Sequence, residues 1–148
     1  MKLRIGYPDA ESEMAMLAAD IGPNGRTATT PQTVLDPHQL RLLQQHVAQV
    51  AVSQPVRKYL VELADATRRR RDVTLGLSPR GLLTWQRVAQ ARAHLQGREF
   101  VVPDDIQQVA GPVLEVRLAG DFDAAPRIVM EILESVAVPV FPARAPVP

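Results

Sequence analysis

Prolines at the start of amphipathic segments constrain this fold more than any other feature of the sequence. Pro37 and Pro79 directly follow an Asp and a Ser, and Pro55 follows Ser53 by two residues. Proline is tolerated in the first helical turn because the N–H groups there lack helical partners, and an Asp or Ser just before it accepts hydrogen bonds from them. Gln39 adds a capping box to the first of these starts. The three prolines therefore predict three helix starts.

Apolar residues recur every three or four positions after each of these starts, which is the spacing of one helix face. Gly97 is placed to end the helix that begins after Ser78. Three other helices are predicted: from Asp9, from Pro103 with a break at Gly111-Pro112, and over 126–136. The residues with helical spacing include Leu40, Leu43, Val47, Val50, Val56, Leu60, Leu63, Ala64, Leu82, Leu83, Trp85, Val88, Ala89 and Leu95.

The two ends of the chain and one internal stretch lack this helical pattern. Residues Leu3–Ile5 alternate like a short strand, which would be unstable without a partner strand. Residues 22–34 predict a loop, and the proline-rich residues 138–148 predict an extended tail. The chain is therefore predicted to be an all-α helical bundle with a short N-terminal orphan strand. We divide it into residues 1–8, 9–137 and 138–148.

The residue inventory excludes several kinds of site. The 148 residues include no cysteine, which rules out disulfides, thiolate zinc sites and cysteine nucleophiles. Neither Lys2 nor Lys58 follows a glycine, so the chain cannot form a Gly-Lys-Ser/Thr phosphate loop. The three histidines are scattered, and we predict no metal site. A net charge of +1 provides no general attraction for nucleic acids or membranes.

The apolar content predicts a globular domain outside the membrane. Hydrophobic residues make up 46% of the chain and charged residues 22%, which is typical of globular proteins. No apolar run approaches the roughly 20 residues of a membrane span, and the N-terminus lacks the apolar core of a signal peptide. We therefore expect a soluble, cytoplasmic domain.

Three blocks of sequence occur in an informative order. Residues 4–8 read Arg-Ile-Gly-Tyr-Pro, residues 76–81 read Gly-Leu-Ser-Pro-Arg-Gly, and residues 97–106 read Gly-Arg-Glu-Phe-Val-Val-Pro-Asp-Asp-Ile. The first block, followed by an acidic helix, resembles the exit from the core of a MoxR-type AAA+ ATPase. The second resembles that family's Gly-Ala-Ser-Pro-Arg-Ala motif, and the third is similar to its Gly-Arg-x-Tyr-Val-Thr-Pro-x-Asp-Val segment. The resemblance covers nearly the whole chain.

The resemblance implies that the chain is the C-terminal lid of such an ATPase, without its Walker A and Walker B motifs. Residues 1–8 would be the last strand of the missing ATPase core and a hinge, and residues 9–137 the lid. The resemblance also implies ATP and Mg²⁺ as cofactors of the full-length protein, with none bound by this chain alone, which we expect to be inactive. The sequence leaves open whether Met1 is a native start or an internal residue.

The partners are implied by the resemblance as well. They are the missing ATPase core and, in the full-length protein, further copies that form a homo-oligomeric ring, a hexamer. The ring would be chaperone-like and would remodel partner proteins, including proteins with a von Willebrand A domain. Contacts with a membrane are not expected, and nucleic acid is a disfavoured partner.

Arg80 is the candidate catalytic residue. In the MoxR family the arginine of the Ser-Pro-Arg motif is sensor 2, which reaches from the lid to the nucleotide phosphates, so the resemblance makes Arg80 and Pro79 candidates for cofactor binding. The residue types agree, because a helix N-terminus favours an anion and a guanidinium offers paired donors to phosphate. The alternative is a surface arginine that happens to follow a Ser-Pro cap.

Three positions depart from the family pattern. Leu77 and Gly81 replace alanines on either side of the Ser-Pro-Arg motif, and Gly81 lowers helix propensity by about 1 kcal/mol relative to alanine. Val102 replaces a capping threonine, so the helix from Pro103 is expected to lose a side-chain cap of about 1 kcal/mol. None of these changes removes Arg80.

Tyr7 and Pro8 lie at the predicted hinge between the strand and the lid. The resemblance places this region beside the adenine base, so both are candidate nucleotide-binding residues. The alternative is a simple turn with a buried tyrosine.

The run Arg68–Arg71 permits several interpretations. A solvated helix end is preferred, because cations suit the helix C-terminus, and an inter-subunit contact in a ring comes second. Nucleic-acid binding comes last, because the domain is nearly neutral and no aromatic residues are interleaved with the arginines.

A free-standing helical module that binds protein or DNA is the alternative function. Such a module would have no use for an orphan strand.

Overall fold

A computed structural model describes residues 6–19, 33–118 and 124–140. The predicted strand at Leu3–Ile5, most of the predicted loop and the last eight residues of the predicted tail lie outside the described residues. Within the described ranges the regular structure is helical apart from isolated bridges, which confirms the all-α prediction. None of the helices in these ranges is both long and apolar enough to cross a membrane.

Seven helices make up the described part of the chain. They are α1 (Ala10–Ala19), α2 (Pro37–Gln49), α3 (Gln54–Arg69), α4 (Pro79–Leu95), α5 (Pro103–Gln108), α6 (Ala110–Leu114) and α7 (Ala125–Glu134). The predicted helices from Asp9, Asp36, Ser53, Ser78 and Pro103 and over 126–136 all form, with ends that differ by one or two residues.

The helix starts follow the capping pattern in the sequence. The Asp36 carboxylate accepts a hydrogen bond from the Gln39 N–H at 2.8 Å, and the Gln39 side chain accepts one from the Asp36 N–H at 2.9 Å. This confirms the predicted capping box of α2. Ser78 Oγ accepts from the Gly81 N–H at 3.2 Å and caps α4. Ser53 precedes α3, but its side chain makes no capping hydrogen bond.

Of the two helix interruptions predicted from glycines, one is confirmed and one is wrong. Gly97 follows α4 with a φ of 70°, which glycine adopts without the steric cost that other residues incur. The break predicted at Gly111-Pro112 is wrong, because the helix is interrupted at Val109 instead. Pro112 falls in the first turn of α6, where the N–H that it lacks would have had no helical acceptor.

Trp85 lies at the centre of the core. Its side chain is fully buried, and its indole Nε1–H donates to the Ile106 carbonyl at 2.9 Å, which joins α4 to α5. An unpaired indole N–H at this depth would carry a desolvation cost, so this bond satisfies the one polar atom of the side chain. Trp85, one of the residues with helical spacing in the sequence, thus belongs to the core. Other large buried residues are Tyr59, Leu63, Leu77, Ile106, Leu114 and Ile132.

The apolar face of α2 is covered less than its spacing suggests. No residue of α2 is buried, and Leu40 and Leu43 are 48% and 38% exposed. Together with the exposed Leu83 of α4 they line an open groove between the two helices. Helical spacing identifies an apolar face, but it does not say how much of that face a neighbouring helix covers.

The extended segments around Ala51 and Phe100, which precede α3 and α5, are hydrogen-bonded to each other. The Ala51 N–H donates to the Glu99 carbonyl at 2.8 Å, and the Val101 N–H donates to the Ala51 carbonyl at 2.9 Å, which forms an isolated parallel bridge. The buried Gln90 side chain of α4 donates to the Val50 carbonyl at 2.7 Å. These bonds satisfy backbone groups that lie outside the helices.

Candidate functional site

Arg80 occupies the first turn of α4, and its side chain is exposed. Thr84 Oγ1 donates to the Arg80 carbonyl at 3.0 Å, which involves only the backbone of Arg80. The Arg80 guanidinium forms no hydrogen bond or ion pair with any residue that the structure describes. The turn therefore presents an unengaged cation beside the positive end of a helix dipole.

The residue three positions before Arg80 is anchored to the last turn of α3. The Leu77 N–H donates to Thr67 Oγ1 at 2.9 Å, and the Leu77 carbonyl accepts from Arg68 Nε at 2.9 Å. Thr67 is fully buried, and its hydroxyl donates to the Ala64 carbonyl at 2.6 Å. The roles of Thr67 and Arg68 were missed from the sequence, because these bonds join residues nine and ten positions apart and no local motif marks them.

The two departures from the family pattern around Arg80 are physically linked. A Cβ atom at position 81 would lie 2.5 Å from Leu77 Cδ1 and 3.3 Å from the Arg117 side chain. Leu77 is 1% exposed, so its side chain fills the space that a Cβ on residue 81 would need. Gly81 thus accommodates the larger neighbour, and the glycine lies in a buried and closely packed turn.

Some arginines of the run Arg68–Arg71 bond to other residues, and others are exposed to solvent. Arg70 donates to Asp72 at 2.6 and 2.9 Å and to Glu131 of α7 at 2.7 Å. The hydrogen bonds that Arg70 donates to these two carboxylates raise the pKa of Arg70, and the bond from Arg70 lowers the pKa of Asp72. Arg69 and Arg71 are exposed. The preferred interpretation as a solvated helix end therefore describes only part of the run.

Tyr7 and Pro8 are both exposed, and Tyr7 is 98% accessible. The alternative of a buried tyrosine is therefore wrong. Asp9, the next residue, caps α1 by accepting from the Ser12 N–H at 2.8 Å, and hydrogen bonds from Ser12 lower the pKa of Asp9. Because the Tyr7 side chain is almost fully exposed, it does not pack against the Arg80 turn in this structure.

A buried ion pair at the start of α5 was also missed from the sequence. Asp105 is fully buried, accepts from the Val102 N–H at 2.9 Å and receives two hydrogen bonds from Arg98. Burial raises the pKa of Asp105, but the bonds from Arg98 and Val102 outweigh it and hold that pKa below its ordinary value. The bond to the Val102 N–H compensates in part for the cap that Val102 cannot provide.

Two of the three histidines, His46 and His94, are neighbours in the structure. The centroids of the His46 and His94 rings lie 6.2 Å apart, and both residues line a cavity beside α2 and α4. Within residues 6–19, 33–118 and 124–140 no group of three or more His, Asp or Glu side chains is arranged to hold a metal ion.

Comparison with known proteins defines the class of this fold. Residues 65–136 match the AAA lid domain family, and this segment contains the end of α3, the Arg80 turn and helices α4–α7. This match confirms, for residues 65–136, the lid domain that the sequence resemblance implied.

Particular relatives extend the similarity beyond the lid match. The chain is 35% identical to the uncharacterized protein YeaC of Bacillus subtilis over 94% of its own length and 45% of YeaC. It is 30% identical to the chaperone MoxR1 of Mycobacterium tuberculosis over 93% of its own length and 40% of MoxR1. A crystal structure of a protein from Cytophaga hutchinsonii, proposed to be an ATPase, superposes with a TM-score of 0.78 at 25% identity, over 95% of this chain and 46% of that one. The chain thus spans less than half the length of these relatives.

Proposed function

We propose that this chain is the lid of a MoxR-type AAA+ ATPase and that Arg80 is its sensor-2 arginine. In this proposal Arg80 contacts the nucleotide phosphates, while a separate nucleotide-binding core supplies the Walker motifs and Mg²⁺. The assembled protein is a chaperone-like ring that remodels partner proteins, including proteins with a von Willebrand A domain. The lid match and the similarity to a protein named as a chaperone support this proposal.

The observation that carries the proposal is the Arg80 guanidinium, which has no partner in the described part of the chain and follows an anchored link. Arg68, Arg70 and Arg98 each bond to carboxylates or carbonyls, which gives them structural roles. Arg80 has no such partner among the described residues, yet Leu77, three residues before it, is buried and hydrogen-bonded to α3. An arginine whose guanidinium has no partner in the described ranges, and whose turn follows a link bonded to α3, suits a ligand that binds from outside the domain.

The chemistry of the turn suits a phosphate ligand. The 17-residue helix α4 places the positive end of its dipole beside Arg80. A guanidinium provides planar paired donors that match two phosphate oxygens and stays charged at any physiological pH. In the proposed ATPase, Arg80 would stabilise charge on the phosphates as the γ-phosphoryl group is transferred.

Tyr7 and Pro8 form the second part of the proposed nucleotide site. The exposed phenol ring of Tyr7 is available to stack against a base, and Pro8 restricts the backbone beside it. In this proposal the hinge contacts adenine and the α4 turn contacts the phosphates.

The test compares two arginines of α4 in the full-length ATPase. Arg80→Ala should lower kcat/KM for ATP by about tenfold or more, because hydrogen bonds to a charged group contribute roughly 1.5 to 3 kcal/mol. Arg87→Ala, which removes an exposed arginine two turns further along the same helix, should leave turnover unchanged. Wild-type turnover together with wild-type nucleotide affinity in Arg80→Ala would refute the sensor-2 role.

A further inference from the structure

The link between α3 and α4 is held to α3 at the peptide groups of Leu77. Its N–H is bonded to the buried Thr67 hydroxyl and its carbonyl to Arg68 Nε, both at 2.9 Å. The acceptor, Thr67 Oγ1, and the donor, Arg68 Nε, both belong to the last turn of α3. Arg68 is itself held by Asp65, to which it donates at 2.7 Å. The position of Leu77 relative to α3 is therefore fixed from both sides.

Close approach of the backbones makes this anchor possible. A Cβ atom on Gly76 would lie 2.7 Å from the Arg68 Cα atom and 2.9 Å from the Arg68 nitrogen, both of which belong to the backbone. Any larger residue at position 76 would push the link away from α3. Glycine is thus required here by proximity.

The two residues between the anchor and Arg80 have little conformational freedom. Pro79 has a φ fixed by its ring, and Ser78 is confined to extended backbone because a proline follows it. Ser78 adopts φ −73° and ψ 160°, in agreement with that restriction. A displacement of Leu77 would therefore be passed on to the first turn of α4.

We propose that Thr67 and Arg68 are positioning residues for Arg80. They hold the Leu77 backbone, and the stiff Ser78-Pro79 step carries that constraint to the Arg80 turn. This inference rests on the proposed sensor-2 role of Arg80 for its effect on ATP turnover. The structural part, namely that these two side chains immobilise the turn, is testable in the 148-residue chain alone.

The first experiment measures amide hydrogen exchange in the 148-residue chain. Thr67→Val removes the hydroxyl and should speed exchange at the Leu77 and Gly81 amides by about fivefold, because an ordinary hydrogen bond shifts a local opening equilibrium by about that factor. Thr67→Ser keeps the hydroxyl and should retain wild-type protection. Thr74→Val makes the same substitution at an exposed position of the same link and should also leave both amides unchanged.

The second experiment measures ATP turnover in the full-length ATPase as a double-mutant cycle. Thr67→Val and Arg68→Met should each lower kcat severalfold, whereas Thr67→Ser and the exposed-neighbour control Arg69→Met should not. In the Arg80→Ala background, Thr67→Val should have almost no further effect, since it acts through Arg80. A role confined to stability would give the same factor in both backgrounds.

The outcomes distinguish this inference from the proposed function. Unchanged exchange at the Leu77 and Gly81 amides in Thr67→Val would overturn the positioning role, whatever the turnover shows. A loss of turnover in Arg80→Ala with an additive cycle would also overturn it, but would leave the sensor-2 role intact. Wild-type turnover in Arg80→Ala would refute the sensor-2 role, and with it the catalytic consequence of the positioning.

Discussion

Both carboxylate oxygens of Asp105 accept hydrogen bonds from the Arg98 guanidinium, each at 2.6 Å. The pair joins the segment after α4 to the first turn of α5, and the Asp105 side chain is fully buried while that of Arg98 is 28% exposed. Removing one partner of a buried pair leaves the other charge without compensation, which makes such pairs costly to break.

Asp105→Asn should therefore destabilise the chain by about 2 to 3 kcal/mol, somewhat less than for a fully buried pair because Arg98 can still reach water. Urea denaturation measures this difference. Asp104→Asn is the matched control, since its side chain is 63% exposed in the same turn, and it should change stability little. Equal effects of the two substitutions would show that the buried pair contributes nothing specific.

The same pair predicts how stability depends on pH. The folded-state pKa of Asp105 is lowered, so the carboxylate stabilises the fold in full above its unfolded pKa of about 4. That contribution is lost as the pH falls below about 4 toward the lowered folded-state pKa. Acid titration of stability should be shallower in Asp105→Asn than in the unmodified chain, and identical slopes would contradict the lowered pKa.

Gly81→Ala should destabilise the chain despite the higher helix propensity of alanine. Overpacking against Leu77 should cost about 2 kcal/mol, against a propensity gain of about 1 kcal/mol. Gly111→Ala is the control, because a Cβ there would meet only the Glu115 side chain, at 3.4 Å, and this substitution should be neutral or stabilising.

The linkage of Leu77 with Gly81 is tested by combining their substitutions. Leu77→Ala alone should cost about 2 to 4 kcal/mol by leaving a cavity. In Leu77→Ala/Gly81→Ala the new Cβ enters that cavity, so the double variant should be more stable than the sum of the single effects by about 1 kcal/mol. Additive effects in urea denaturation would mean that the two side-chain positions are independent.

The chain by itself should not hydrolyse ATP. It has no Gly-Lys-Ser/Thr loop to hold the β- and γ-phosphates with Mg²⁺. Phosphate release by the purified chain should match the buffer background. Turnover above background that is abolished by a substitution within the chain would contradict this expectation.

Local chemistry explains most of what the sequence predicted correctly. The Asp36 capping box and the Ser78-Pro79 start depend on neighbouring residues, so they are readable without knowledge of the fold. The predicted break at Gly111-Pro112 was misplaced by two residues. A proline can end one helix or lie in the first turn of the next, and only the packing of α6 decides between these positions.

Relationships between distant positions could not be predicted in the same way. Thr67 and Leu77 are ten residues apart, and nothing in either residue type indicates that one bonds to the other. The same holds for the Leu40 and Leu43 face of α2, whose exposure depends on what lies opposite. Arg80 lies within the residues that match the AAA lid domain, but the side chains that anchor its turn became visible only in three dimensions.

The burial of Trp85 has a practical consequence for experiments on this protein. It is the only tryptophan in the chain, and its indole is dehydrated and bonded to the Ile106 carbonyl. Its fluorescence should therefore be blue-shifted in the folded chain and should shift to red when the core opens. In the 148-residue chain its emission therefore reports whether a variant such as Arg80→Ala leaves the core folded, without an added label.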